Sequence, residues 1–79
     1  MDVEANISIY PNPATDVLNV VANTNISRVR IINFIGQTMF DNNVNNSSIN
    51  INTSAYQSGV YIISVETSNG VSTEKITIK

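Results

Sequence analysis
Apolar residues recur at every second position along most of this chain and almost nowhere at helical spacing. Ile7 and Ile9, Leu18 and Val20, Val29 and Ile31, Ile49 and Ile51, Tyr61, Ile63 and Val65, and Ile76 and Ile78 mark six such runs, and a seventh follows Gly36 through Phe40. Side chains alternate between the two faces of a strand, so each run reads as a short strand with one face in a core. The intervening residues carry turn chemistry. Tyr10-Pro11-Asn12-Pro13 stops the first run, because proline lacks an amide donor and restricts the residue before it, and Ala14-Thr15-Asp16 completes the turn. Asn23-Thr24-Asn25 closes the second run, and Gly36 supplies the positive φ of a tight reversal after the third. Asp41 to Ser48 reads as a polar, Asn-rich loop. Thr53 to Gly59 reads as one helical turn, capped by Thr53 or Ser54, ended by Gly59 and pinned to the core by Tyr56. Ser68-Asn69-Gly70 is the strongest hairpin signal, and the last run turns Lys75, Thr77 and Lys79 outward, cations that blunt an exposed edge. The pattern predicts an all-β fold, a seven-stranded antiparallel β-sandwich of immunoglobulin-like architecture, over residues 7–79, with residues 1–6 as a linker.

Composition removes most chemistry. Ordering a chain of 79 residues costs roughly 1.5 kcal/mol per residue against a similar gain from burial, which leaves little stability for strained catalytic geometry. There is no cysteine, histidine or tryptophan, so thiolate nucleophiles, imidazole bases and soft-ligand metal sites are absent and no cofactor is expected. Arg28, Arg30, Lys75 and Lys79 are too few and too scattered to track a phosphate backbone, and the net charge is −2, which excludes nucleic acid as a partner. Only 13% of residues are charged, and Asn, Ser and Thr take their place. A neutral polar surface of this kind is common outside the cell, although the lack of disulfides points weakly the other way. Met1-Asp2-Val3-Glu4 is not a signal peptide, and no apolar run approaches the ~18 residues of a membrane span.

The remaining polar and aromatic residues offer few sites. The carboxylates Asp16, Asp41, Glu66 and Glu74 are the acid-base candidates, and the hairpin brings Glu66 and Glu74 onto adjacent strands. Asp16 and Asn12 with loop carbonyls form a conceivable calcium site, but the spacing fits no calcium loop. An aromatic platform for carbohydrate would have to come from Tyr10, Phe34, Phe40, Tyr56 and Tyr61, most of which are expected in the core. Glycosylation sequons such as those at Asn6, Asn25, Asn46 and Asn52 are what a chain this rich in Asn and Ser contains by chance. The rigid Pro11-Asn12-Pro13 loop is either a structural corner or a label. The last strand is either a protected edge or one offered to a partner by strand addition, including a second copy in an edge-strand dimer.

Four motifs in order carry a family resemblance: Tyr10-Pro11-Asn12-Pro13, Gly36-Gln37, Gly59-Val60-Tyr61-Ile62 and Lys75-Ile76-Thr77-Ile78-Lys79. Together they resemble the type A C-terminal sorting domain of the type IX secretion system, also called the Por secretion system, of Bacteroidetes. Asn52 to Gly59 is similar to the segment that precedes the family's glycine, with Tyr56 where leucine is commoner. Asn33 stands where the family often has aspartate. The resemblance implies a non-catalytic address on a larger exported protein. Such a protein passes the periplasm and is routed by the outer-membrane type IX translocon to the cell surface or medium. A sortase-like surface protease then commonly removes the domain, and many cargoes are attached to lipopolysaccharide. The motif positions carried over are Pro11, Asn12, Pro13, Gly36, Gly59, Tyr61, Lys75 and Lys79. The alternative from a different class is a structural or carbohydrate-binding sandwich appended to an extracellular enzyme.

Overall fold
Alternating burial appears where the sequence alternates, but in fewer and longer strands. The computed structural model describes residues 7–14 and 16–79, so the linker expected at residues 1–6 lies outside the described residues. Five strands form one curled antiparallel sheet: β1 (Ile7–Tyr10), β2 (Val17–Asn33), β3 (Thr38–Asn52), β4 (Gly59–Thr67) and β5 (Gly70–Ile78). β2 is its spine. One edge of β2 pairs with β3, from Val17 opposite Asn52 to Ile32 opposite Thr38. The other edge is shared, with β1 along the first half (Ile7 opposite Ala22, Tyr10 opposite Asn19) and β4 along the second (Ile26 opposite Thr67, Asn33 opposite Tyr61).

That shared edge explains why seven expected strands are five. The second and third runs are one strand, as are the fourth and fifth, and each is re-aimed in the middle. In β2 the buried residues are Leu18, Val20, Ala22 and Ile26, then Val29 and Ile31. The inward parity changes from even to odd across the register shift between Ile26 and Arg28. A bulge does this because one extra residue turns the following side chains to the opposite face and bends the strand. In β3 the core-facing residues change from Phe40 and Val44 to Ile49 and Ile51, with Asn45 between them at φ 53°. Asn is among the residues that tolerate that conformation. Asn23-Thr24-Asn25 and Asp41 to Ser48 are therefore strand and not loop; Asp41, Asn42, Asn43, Asn46 and Ser48 pair with β2, which outweighs the poor strand preference of Asn there. The segment after β3 is a turn and not a helix: the Tyr56 amide donates to the Thr53 carbonyl at 3.0 Å.

One core holds the curl. Leu18, Val20, Ile26, Val29 and Ile31 of β2 meet Ile51 of β3, Tyr61, Ile63 and Val65 of β4, and Ile76 and Ile78 of β5. Tyr56 packs on this cluster as expected, and its hydroxyl donates to the Met39 carbonyl at 3.4 Å. On the outer face Arg28 makes a two-pronged ion pair with Asp41, Nε to Oδ1 at 2.7 Å and Nη2 to Oδ2 at 2.6 Å. The hydrogen bond from Arg28 holds the Asp41 carboxyl below its usual range, and the charges of Arg28 and Arg30 add to this. A depressed carboxylate stabilises the fold above its unfolded pKa, and the contribution is lost as pH falls through the folded value. Asp41→Asn is accordingly expected to lower the melting temperature at neutral pH, with the gap to the unsubstituted chain closing in acid below the ordinary carboxylate range, read by thermal melts across that range.

Candidate functional site
The segment after β1 does not wander as a surface corner. It crosses to the far edge of the sheet and docks on β5. The Ala14 amide donates to the Thr77 carbonyl at 2.8 Å, the Lys79 amide donates to the Ala14 carbonyl at 2.8 Å, and Ala14 lies parallel to Ile78. Ala14 is fully buried there. The preceding Asn12 side chain extends the same attachment, its Oδ1 accepting the Thr77 amide at 3.1 Å. Pro11, Asn12 and Pro13 are exposed, and the Tyr10–Pro11 and Asn12–Pro13 peptide bonds are both cis. Asn12 and Thr77 are 65 residues apart in sequence; three hydrogen bonds make the proline motif and the last strand one structure.

The other motifs come to the same end. Gly59 opens β4 opposite Ile78, so Ala14, Ile78 and Gly59 form one row across the sheet. Two residues on, Tyr61 is 5% exposed between Asn33 on β2 and Ile76 on β5. Its hydroxyl donates to the Gln57 carbonyl at 2.7 Å, and its ring sits 5.6 Å from that of Tyr56. Tyr61 is thus a packing residue that ties down the turn leading into Gly59. The Thr53 amide donates to the Asp16 carbonyl at 2.9 Å and joins that turn to the proline loop.

Beyond Asn33 the chain reverses through Gly36, whose φ of +88° is the positive value the sequence called for. Asn33 builds the reversal: its Oδ1 accepts the amides of Ile35 at 3.1 Å and Gln37 at 2.9 Å, and its Nδ2 donates to Gln37 Oε1 at 3.1 Å. An acceptor oxygen at this position is what aspartate would also supply. The clamp presents Phe34 and Ile35, 82% and 71% exposed. Sequence reasoning expected most of the five aromatics in the core; Phe34, at the tip of a two-strand turn, is exposed. Of the basic pair, Lys79 extends the Ala14 attachment and Lys75 stands four residues earlier on β5, both exposed.

The other candidates are not assembled. Glu66 pairs with Val71, and Glu74 with Ile63, on opposite faces of the hairpin, so the two carboxylates do not meet. No group of three or more Asp or Glu side chains is gathered for a metal among the described residues, and Asn12 Oδ1 is engaged by the Thr77 amide. Among the described residues no helix is long and apolar enough to cross a membrane.

Comparison with known proteins gives matches in sequence and in fold. Residues 8–79 match the family model for the secretion system C-terminal sorting domain. The chain is 38% identical over 63 residues to the ulvan lyase NLR42 of Nonlabens ulvanivorans, an alignment covering 77% of this chain and 12% of that protein. It is also similar in fold to a solved structure of PorZ, a surface component of the type IX secretion system of Porphyromonas gingivalis. There the TM-score is 0.76 at 17% identity, covering 94% of this chain and 11% of that one. The chain therefore spans about a tenth of the length of each of these proteins.

Asn12 offers a direct check on the docked loop. Asn12→Ala removes one hydrogen bond from the Thr77 amide and is expected to cost about 1 kcal/mol in urea unfolding, whereas Asn12→Asp keeps the acceptor and is expected to cost less.

Proposed function
Because this chain belongs to the secretion system C-terminal sorting domains, we propose that the end of the sheet that gathers its motif residues is the surface read by the outer-membrane type IX translocon. The domain is a sorting signal that directs a larger exported protein to the cell surface or medium. In the proposed division of labour, Gly36, Gly59 and Tyr61 shape the end of the sheet, while Pro11, Asn12, Pro13, Lys75 and Lys79 are exposed to the receptor. The domain, taken as residues 7–79, adds no chemistry of its own; any activity belongs to the fused cargo. Its curled sheet serves as the two layers of an immunoglobulin-like sandwich, and a sortase-like surface protease acts after export.

The observation that carries this reading is the docking of Ala14 on Thr77 and Lys79. It unites the proline motif and the basic strand in one rigid surface, which a receptor can read as a single shape. A carbohydrate-binding module would instead need a cluster of exposed rings, and the Tyr56–Tyr61 pair is turned to the core.

The test is a fluorescent reporter with a signal peptide at its start and this chain at its end, expressed in a bacterium with an intact type IX system and in its translocon-deficient twin. Reporter outside the first strain and held in the periplasm of the second is the expected result; retention in both contradicts it. Lys75 and Lys79 changed together to Ser should lower export with little change in melting temperature, since exposed charges contribute little to stability. Full export of that double variant would remove the two lysines from the recognition surface.

A further inference from the structure
The Asn12–Ala14 segment covers only one end of the outer edge of β5. Thr77 directs both its amide and its carbonyl away from β4, the first to Asn12 and the second to Ala14. The β4–β5 register runs without a shift from Gly59 opposite Ile78 to Thr67 opposite Gly70. Main-chain groups alternate in direction along such a ladder, so Val71, Thr73 and Lys75 also turn their amides and carbonyls outward. No described segment of the chain pairs with them. Among the described residues, five residues of straight edge are therefore open, in line with a stretch the protein already closes by adding Ala14 in parallel.

The surroundings of that edge suit a strand. The core does not extend beneath the first half of β5: Ile76 and Ile78 are buried, whereas Ser72 and Glu74 on the same face are not. A depression of about 400 Å³ lies here, lined by Thr67, Ser72, Thr73 and Glu74 among others. On the opposite face a second depression of about 240 Å³ is lined by Arg28, Arg30, Ser64, Glu66 and Val71. A strand added at the edge alternates its side chains between the two faces, and each face has a hollow to receive them. β3 has a longer free edge, but its register against β2 shifts repeatedly and Asn45 breaks its extended course, devices that discourage pairing. β5 has no such interruption and is exposed at Val71 to 60%.

Resting on the sorting role above, we propose that the receptor recognises this domain by adding an extended strand of its own to β5 along Val71–Lys75. Main-chain pairing supplies the contact, and an acidic side chain of the partner lies on the outer face, where Lys75 and Arg30 project. Main-chain recognition at this edge tolerates sequence change in the side chains of Val71 and Thr73, while Lys75 contributes its charge.

Proline separates this proposal from a side-chain epitope. At Thr73 it removes an outward amide and leaves the bonds to β4, which edge strands accept; at Glu74 it removes a bond to β4. Thr73→Pro should keep the β-sheet spectrum and a cooperative melt of the 79-residue chain. In the reporter assay it should reduce export by about tenfold or more, the loss expected from one missing main-chain bond and a blocked approach. Thr73→Ala, which alters the side chain alone, should export normally. If Thr73→Pro does not fold, an N-methylated Thr73 in the synthetic chain, tested as a competitor that titrates the receptor and slows export of the unsubstituted reporter, takes its place and is expected to compete poorly. Export of a folded Thr73→Pro at the unsubstituted level overturns the proposal, as does equal competition by the N-methylated chain. Loss of export with Thr73→Ala overturns it by assigning the site to the side chain. An unsubstituted domain that sediments as a dimer, made monomeric by Thr73→Pro without loss of export, assigns the edge to a second copy and also overturns it. Failure of the unsubstituted reporter to leave the periplasm is a separate result, since it counts against the sorting role itself.

Discussion
Two hydrogen bonds at Ala14 decide what kind of object this sheet is. Without them the chain is an open antiparallel sheet with β1 beside the spine and β5 at the far edge, and the proline segment is a loose connection. With them the segment that leaves β1 is stitched to β5, and the curl is closed at one end. The alanine side chain suits the position because it is fully buried against the core and brings the two backbones together. Asn12 adds a third bond from a side chain, and the prolines on either side of it limit the conformations available to the segment. Gly59, Tyr61 and the Asn33 clamp are placed by strand register relative to this attachment, which is why motifs scattered over the sequence share one end of the molecule.

The bulges in β2 and β3 make the closure possible. A strand of 17 residues that kept one parity would bury a single flat face and leave no room for β1 and β4 on the same edge. Switching the inward set near Ile26 lets the two halves of β2 face a common core, and the switch near Asn45 lets β3 follow. The core is small, as a chain of this length requires, but every strand contributes to it.

The alternating runs were legible because their physical cause is local: one face buried, one face wet. The inward sets at Leu18 and Val20, Val29 and Ile31, Tyr61, Ile63 and Val65, and Ile76 and Ile78 are all in the core, and the hairpin before Gly70 and the reversal at Gly36 stand where their turn residues imply. What the sequence hid is non-local. Asn23 to Asn25 and Asp41 to Ser48 carry loop composition yet are extended, and the second stretch is held so by its pairing with β2. Phe34 carries a core residue's chemistry on a turn that leaves it 82% exposed. The partnership of Asn12 with Thr77 has no signal in either residue, since Asn in a proline turn satisfies any nearby amide. That the segments holding Asn12, Gly59, Tyr61 and Thr77 come together at one end of the sheet could not be read from the sequence.

A signal read at the proposed surface needs a shape that does not depend on the protein it is attached to. A rigid end built from a stitched loop, a buried tyrosine and an edge strand meets that need, because its shape is fixed within the domain. The claim on which this rests is that the proline segment is bonded to β5 in solution. Amide hydrogen exchange of the isolated domain tests it most directly. The amides of Ala14 and Thr77 are predicted to exchange slowly and together, while the outward amides of Val71, Thr73 and Lys75 exchange quickly. Exchange of Ala14 and Thr77 as fast as that of Thr73 and Lys75 would contradict the account, because the loop would then be free of the strand.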